Sequence, residues 1–170
     1  MEIKKVFFDL VFFEKMPKKP LPFVVKDKFQ VYLNWCAEVK IAYINDKFKE
    51  WFLEIIEEPE VEQAVLACGK LRAKTRESFL SEDDENKPAL VSDIFFKLKK
   101  QANGEKGDLI TKWFTFKTNI FFCEDISGKQ RFIFVAWDRK QKGWSIVAKE
   151  IDFFGYEKKL AKGSRVFFRK

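Results

Sequence analysis

Asp27, Glu38 and Lys40 stand in a D-x10-E-x-K spacing. Two carboxylates brought together by a reversal of the chain could share a divalent cation, and the lysine could position or activate an attacking water. Little else in the chain has the makings of catalysis. The 170 residues include no histidine, which removes Ser-His-Asp and Cys-His nucleophiles, imidazole metal ligands and imidazole proton shuttles. No GxxxxGK[ST] phosphate loop and no GxGxxG fingerprint occurs. The cysteines are Cys36, Cys68 and Cys123, without a CxxC pair, so four-thiolate zinc ligation within one chain is impossible.

The Asp27, Glu38 and Lys40 set resembles the core of metal-dependent nucleases of the PD-(D/E)xK type. That resemblance implies a Mg²⁺-dependent nuclease with these three residues as its catalytic group. Glu38 and Lys40 share the even-numbered, polar side of a segment with period-two patterning, as such chemistry requires. The pattern is short, and E-x-K recurs at Glu2–Lys4 and Glu157–Lys159. Two solvated residues on the outer face of a strand account for it more simply. The chain is therefore read first as non-enzymatic, without a cofactor or metal, and the nuclease is the alternative.

A second constellation is basic and aromatic. Lys97, Lys99 and Lys100 cluster in one predicted helix, and Arg139, Lys140, Lys142 and Trp144 mark a predicted hairpin tip. Nucleic-acid surfaces pair cations, which contact phosphate, with exposed aromatics, on which bases stack. The formal charge of +7 is uneven: +3 over residues 1–44, −5 over 45–87 and +9 over 88–170. The basic second half suits an anionic partner, either nucleic acid or an acidic protein surface. The bland counter-readings are a solvated lysine-rich face and burial of Trp113, Trp137 and Trp144 in the sheet. No RNP-type signature is present.

These residues need elements to hold them. Aromatic content of 17 %, with 21 Phe, argues for a packed core, and the length suits one domain. No apolar run is long enough to cross a membrane, and residues 3–13 read as a strand rather than a leader peptide. The odd, widely separated cysteines fit buried thiols in a reducing, cytoplasmic setting. Pro17, Pro20 and Pro22 impose a loop. From Phe29 to Tyr43 every odd position is apolar, which predicts a strand, with a bend or hairpin near Asn34.

Asp46 reads as the cap of a helix over 47–57, Pro59 opens a second helix through Phe79, and Pro88 a third that stops at Asn103-Gly104. Period two returns after Asp108. Segments 110–123, 131–137 and 143–153 predict an antiparallel meander, and 165–169 a final strand. Lys112, Lys117, Arg131 and Lys149 beside the apolar positions predict one wet, basic sheet face. The expectation is a single α+β domain over 1–170: two N-terminal strands, three central helices and a C-terminal antiparallel β-meander packed on them. In outline this order resembles the cone-shaped NTF2-like fold, which would imply an apolar ligand or interaction site between helices and sheet.

Overall fold

A computed structural model describes residues 21–58, 66–70, 87–111, 117–150 and 163–169. The first strand, β1 (Phe23–Val24), runs straight into a single turn of helix, α1 (Val25–Lys28). Then come β2 (Ile41–Ile44), α2 (Asp46–Phe52), β3 (Ile56–Glu57), β4 (Leu66–Lys70) and α3 (Val91–Lys99). The last four described elements are strands: β5 (Asn119–Glu124), β6 (Gln130–Asp138), β7 (Gly143–Glu150) and β8 (Arg165–Arg169). The protein is α+β, with three helices among the described residues.

Six strands form one mixed sheet in the order β2-β7-β6-β5-β8-β4, while β1 and β3 pair separately. Its centre is the antiparallel meander β5-β6-β7, with Ile133 opposite Phe121 and Ala148. β8 joins β5 in parallel and β4 in antiparallel fashion, and β2 joins β7 in parallel. The helices pack on one face. Val91, Ile94, Phe95 and Leu98 recur at helical spacing along α3 and are all buried. They meet Phe48, Trp51 and Phe52 of α2 and Phe121, Ile133, Val135, Trp144, Ile146 and Phe167 of the sheet in one core.

Helix ends are set by specific acceptors. Asn45, not Asp46, caps α2: its Oδ1 accepts from the amides of Phe48 at 3.1 Å and Ala148 at 2.9 Å, so one side chain starts the helix and ties it to β7. Glu57 reaches from β3 to the start of α3, where its carboxylate accepts from the amides of Val91 at 2.7 Å and Ser92 at 2.9 Å. Asp93 accepts from the Leu90 amide at 2.9 Å and from Arg169 of β8 through two bonds of 2.6 and 2.9 Å.

Several expectations are corrected. Phe29–Tyr43 is not one strand: only Ile41–Ile44 is, and Val31, Leu33 and Trp35 remain exposed in part or almost wholly. The chain reverses instead, with Tyr32 bridging back to Ile41 and the Ala37 amide donating to Asn34. That reversal lies where the bend near Asn34 was expected. The first long helix ends at Phe52 rather than at residue 57. Residues 66–70 form a strand, not part of a second helix, because they pair along β8. The other residues of that predicted helix, the strand at 3–13 and Trp113 lie outside the described residues.

The second face of the sheet is not simply wet. Ile120, Phe132 and Val166 form an apolar cluster there, with Phe122, Phe134 and Phe168 packed against it and the Lys149 ammonium 5.4 Å from the Phe134 ring centre. Arg131 is buried on the helix side. Of the three thiols only Cys123 is buried. Among the described residues no helix is long and apolar enough to cross a membrane.

Candidate nucleic-acid interface

Three segments distant in sequence meet at one end of the sheet: the loop 34–40, the end of α3 with the turn that follows it (99–105), and the β6–β7 hairpin tip (138–143). The Trp144 amide donates to the Lys40 carbonyl at 2.7 Å. Its indole Nε1–H donates to the Gln101 carbonyl at 3.1 Å. Lys40 Nζ donates to Asn103 Oδ1 at 2.9 Å. The segment after α3 turns at Gly104, whose φ of +72° is readily available to glycine and rarely to other residues. The Trp137 ring lies over that glycine so closely that a Cβ would come within 2.3 Å of it.

The hairpin tip owes its shape to Asp138. Its Oδ1 accepts from the amides of Lys140 at 2.8 Å and Gln141 at 3.1 Å, and Lys142 takes a positive φ before the chain re-enters β7. Arg139, Lys140 and Lys142 are exposed around it. Lys99 and Lys100 are exposed at the end of α3, where cations also favour the helix dipole. Over the three segments six Lys and Arg face three Asp and Glu.

The predicted residues separate clearly. Lys99 and Lys100 lie on one of the joined segments, and Arg139, Lys140 and Lys142 on another. Lys100, Lys140 and Lys142 have no ion-pair partner among the described residues. Lys97 turns elsewhere: its Nζ meets Asp108 at 2.6 Å and lies 6.0 Å from the Phe167 ring centre. The Lys97 ammonium holds the Asp108 carboxyl below its usual value. Trp144 is corrected. It is fully buried beneath the tip, edge-on to Trp137 with ring centres 5.3 Å apart, and offers no face to a base. The register Trp137–Trp144 next to the Ile41 pairing draws it inward.

Sequence reasoning also missed the aromatics that are exposed here. Trp35 is 88 % exposed and Tyr32 46 %, both in the segment read as a one-faced strand. The clue available was that Tyr32 and Cys36 break the polar side of the alternation.

Among the described residues, no hydrogen bond or ion pair joins Asp27, Glu38 and Lys40 to one another, and Glu38 and Lys40 are engaged with other side chains. Asp27 is exposed on α1. Glu38 accepts from Lys99 through one oxygen and from Lys28 at 2.9 Å through the other. These two ammonium groups, Lys99 first, hold its carboxyl below the ordinary value. Lys40 is engaged with Asn103. Among the described residues no three His, Cys, Asp or Glu side chains are placed to hold a metal ion.

An open groove of about 430 Å³ lies elsewhere, lined by β3, the start of α3 and the β5–β6 turn. Its most enclosed carboxylates, Glu57 and Asp125, are already committed to the α3 amides and to Arg131. No known protein family, curated protein or solved structure matches the chain.

Proposed function

We propose that this chain is a small non-enzymatic binding or accessory protein that contacts nucleic acid through the end built from residues 34–40, 99–105 and 138–143. The observation that carries this reading is convergence. Segments some forty residues and more apart are locked together by Lys40, Gln101, Asn103 and Trp144. The result is a cationic rim in which Lys100, Lys140 and Lys142 make no close ion pair among the described residues. Cations left unneutralised on a rigid frame are suited to phosphates, whose contacts supply affinity by releasing counterions.

The Mg²⁺-dependent nuclease alternative gains no support from the geometry, since both oxygens of Glu38 are taken by lysines. An NTF2-like ligand site between helices and sheet gains none either. Phe48, Phe52, Phe95, Leu98 and Trp144 fill the space where the ligand would lie.

The test is the salt dependence of binding to an oligonucleotide. Affinity should fall linearly on a log–log plot, and each of Lys100→Ala, Lys140→Ala and Lys142→Ala should reduce the slope by about one. Binding to heparin and to acidic proteins, with none to oligonucleotides, would assign the rim to an acidic protein partner instead. A slope unchanged in all three variants would remove this end of the molecule from the interface.

A further inference from the structure

The cationic rim leaves its aromatic neighbours unexplained. Trp35 projects almost wholly into water, with Tyr32 beside it in the loop and Leu33 and Val31 also exposed. Single exposed apolar residues are ordinary, but a group of them on a hydrogen-bonded loop calls for a reason. This loop is held by backbone hydrogen bonds. Tyr32 and Ile41 exchange backbone hydrogen bonds of 2.9 and 3.1 Å, and the Ala37 amide closes the turn on the Asn34 carbonyl at 3.0 Å.

The loop is also seated on the basic hairpin. Leu33 lies so close to Gly143 that a Cβ on that glycine would come within 2.6 Å of Leu33 Cδ2. Gly143 directly follows Lys142, so the frame that presents the lysines presents the aromatic loop as well. The Tyr32 hydroxyl and Cys36 Sγ, 3.6 Å apart, tie the two ends of the exposed stretch to each other.

We infer that Trp35, flanked by Tyr32, is a base-stacking platform, and that the nucleic acid taken by this surface is single-stranded. The inference rests on the reading of the rim as a phosphate-binding surface and adds the strandedness of the ligand. In a duplex the bases stack on one another and show only their edges. Unpaired bases expose their faces, and every base can stack on an indole whatever its identity. An apolar protein partner would be expected to find a patch poor in charge. Here the patch borders six Lys and Arg against three Asp and Glu, a balance that complements a polyanion with flat apolar groups.

The test measures binding of the full chain to an oligothymidylate and to a duplex of equal length, for the wild type, Trp35→Ala and the double variant Lys140→Ala/Lys142→Ala. Trp35→Ala should weaken oligothymidylate binding about tenfold, leave duplex binding and the salt slope unchanged, and abolish most of the tryptophan quenching on binding. Trp35→Phe should restore much of the affinity. Because the indole is exposed, removing it should leave the circular dichroism spectrum and unfolding midpoint unchanged.

If Trp35→Ala binds the oligothymidylate like the wild type, or loses both ligands equally, the stacking inference is overturned. The phosphate-binding rim survives that result provided the lysine double variant weakens binding to both. Should the lysine variant also bind like the wild type, the rim and the platform fail together.

Discussion

Arg131 donates its Nε–H to Asp125 at 2.8 Å with both side chains almost fully buried, 8 % and 2 % exposed. The guanidinium carbon also lies 3.9 Å from the centre of the Trp51 ring, so the pair joins the β5–β6 turn to α2. Burial alone would raise the Asp125 carboxyl. The Ser127 hydroxyl, Arg131 and the amides of Lys129 and Ser127 outweigh it and hold the carboxyl at about 2.

A folded-state value below the ordinary one means that Asp125 stabilises the fold above the usual carboxylate range and ceases to as pH falls through it. The contribution is on the order of 2 kcal/mol near neutrality and is lost between about pH 4 and 2. Denaturant titrations of the wild type and Asp125→Asn should therefore show a stability gap at pH 6 that closes toward pH 2. A gap independent of pH would refute this account.

Removing the other partner should be costlier. Arg131→Met leaves Asp125 buried without its counter-charge and should lower stability by about 3 kcal/mol or more. Combining it with Asp125→Asn should cost less than the two single losses added together, a coupling that a double-mutant cycle measures directly.

Glu57→Gln tests the link between β3 and α3. The amides of Val91 and Ser92 lose a charged acceptor at the positive end of the helix dipole, and stability should fall by about 1 kcal/mol. The loss should lessen at high salt only slightly, because Glu57 is buried and so poorly screened.

Gly104→Ala should be among the most damaging surface substitutions. It imposes a positive φ on a residue with a side chain and drives that side chain into the Trp137 ring. A loss above about 2 kcal/mol follows from the two effects combined. Since Trp137 packs against Trp144, the near-ultraviolet circular dichroism of the variant should change as well.

Thiol labelling gives a simple check of the core. Cys36 and Cys68 are exposed and should react in the folded protein, whereas Cys123 is buried and its thiol is pushed well above its usual value by burial, then by Glu57 and Asp93. Two reactive thiols in buffer and three in denaturant are expected.

How far the amino-acid pattern reaches is visible element by element. The buried stripe of α3 is legible because Val91, Ile94, Phe95 and Leu98 face one neighbour, the sheet, so helical period and burial coincide. The meander is legible because short turns at Asp125–Gly128 and Asp138–Gly143 join strands that pair with their sequence neighbours. Β8 was predicted over the residues it occupies.

The alternation of Phe29–Tyr43 misled because a period does not reveal where a chain turns back, and Val31, Leu33 and Trp35 keep the rhythm while facing water. Residues 66–70 misled because Val65, Cys68 and Leu71 fit a helical stripe equally well, and only pairing with the distant β8 decides between the two. At the candidate site the lysines of the hairpin were legible as a charge cluster. The swap of Trp35 for Trp144 as the exposed aromatic was not, because it depends on strand register and loop seating that no local pattern encodes.

The parallel pairing of β2 with β7 at one edge of the sheet carries a consequence for how the chain is made. Ile41–Ile44 has its place beside residues 144–146, and Asn45 its anchor at Ala148. During synthesis on a ribosome the early segment must therefore wait, with Phe48, Trp51 and Phe52 uncovered, until about a hundred more residues have emerged. Closure over so long a loop slows folding and favours capture by chaperones in the interval. A shortened chain ending before Gly143 would leave β2 with only the Tyr32 bridge to hold it.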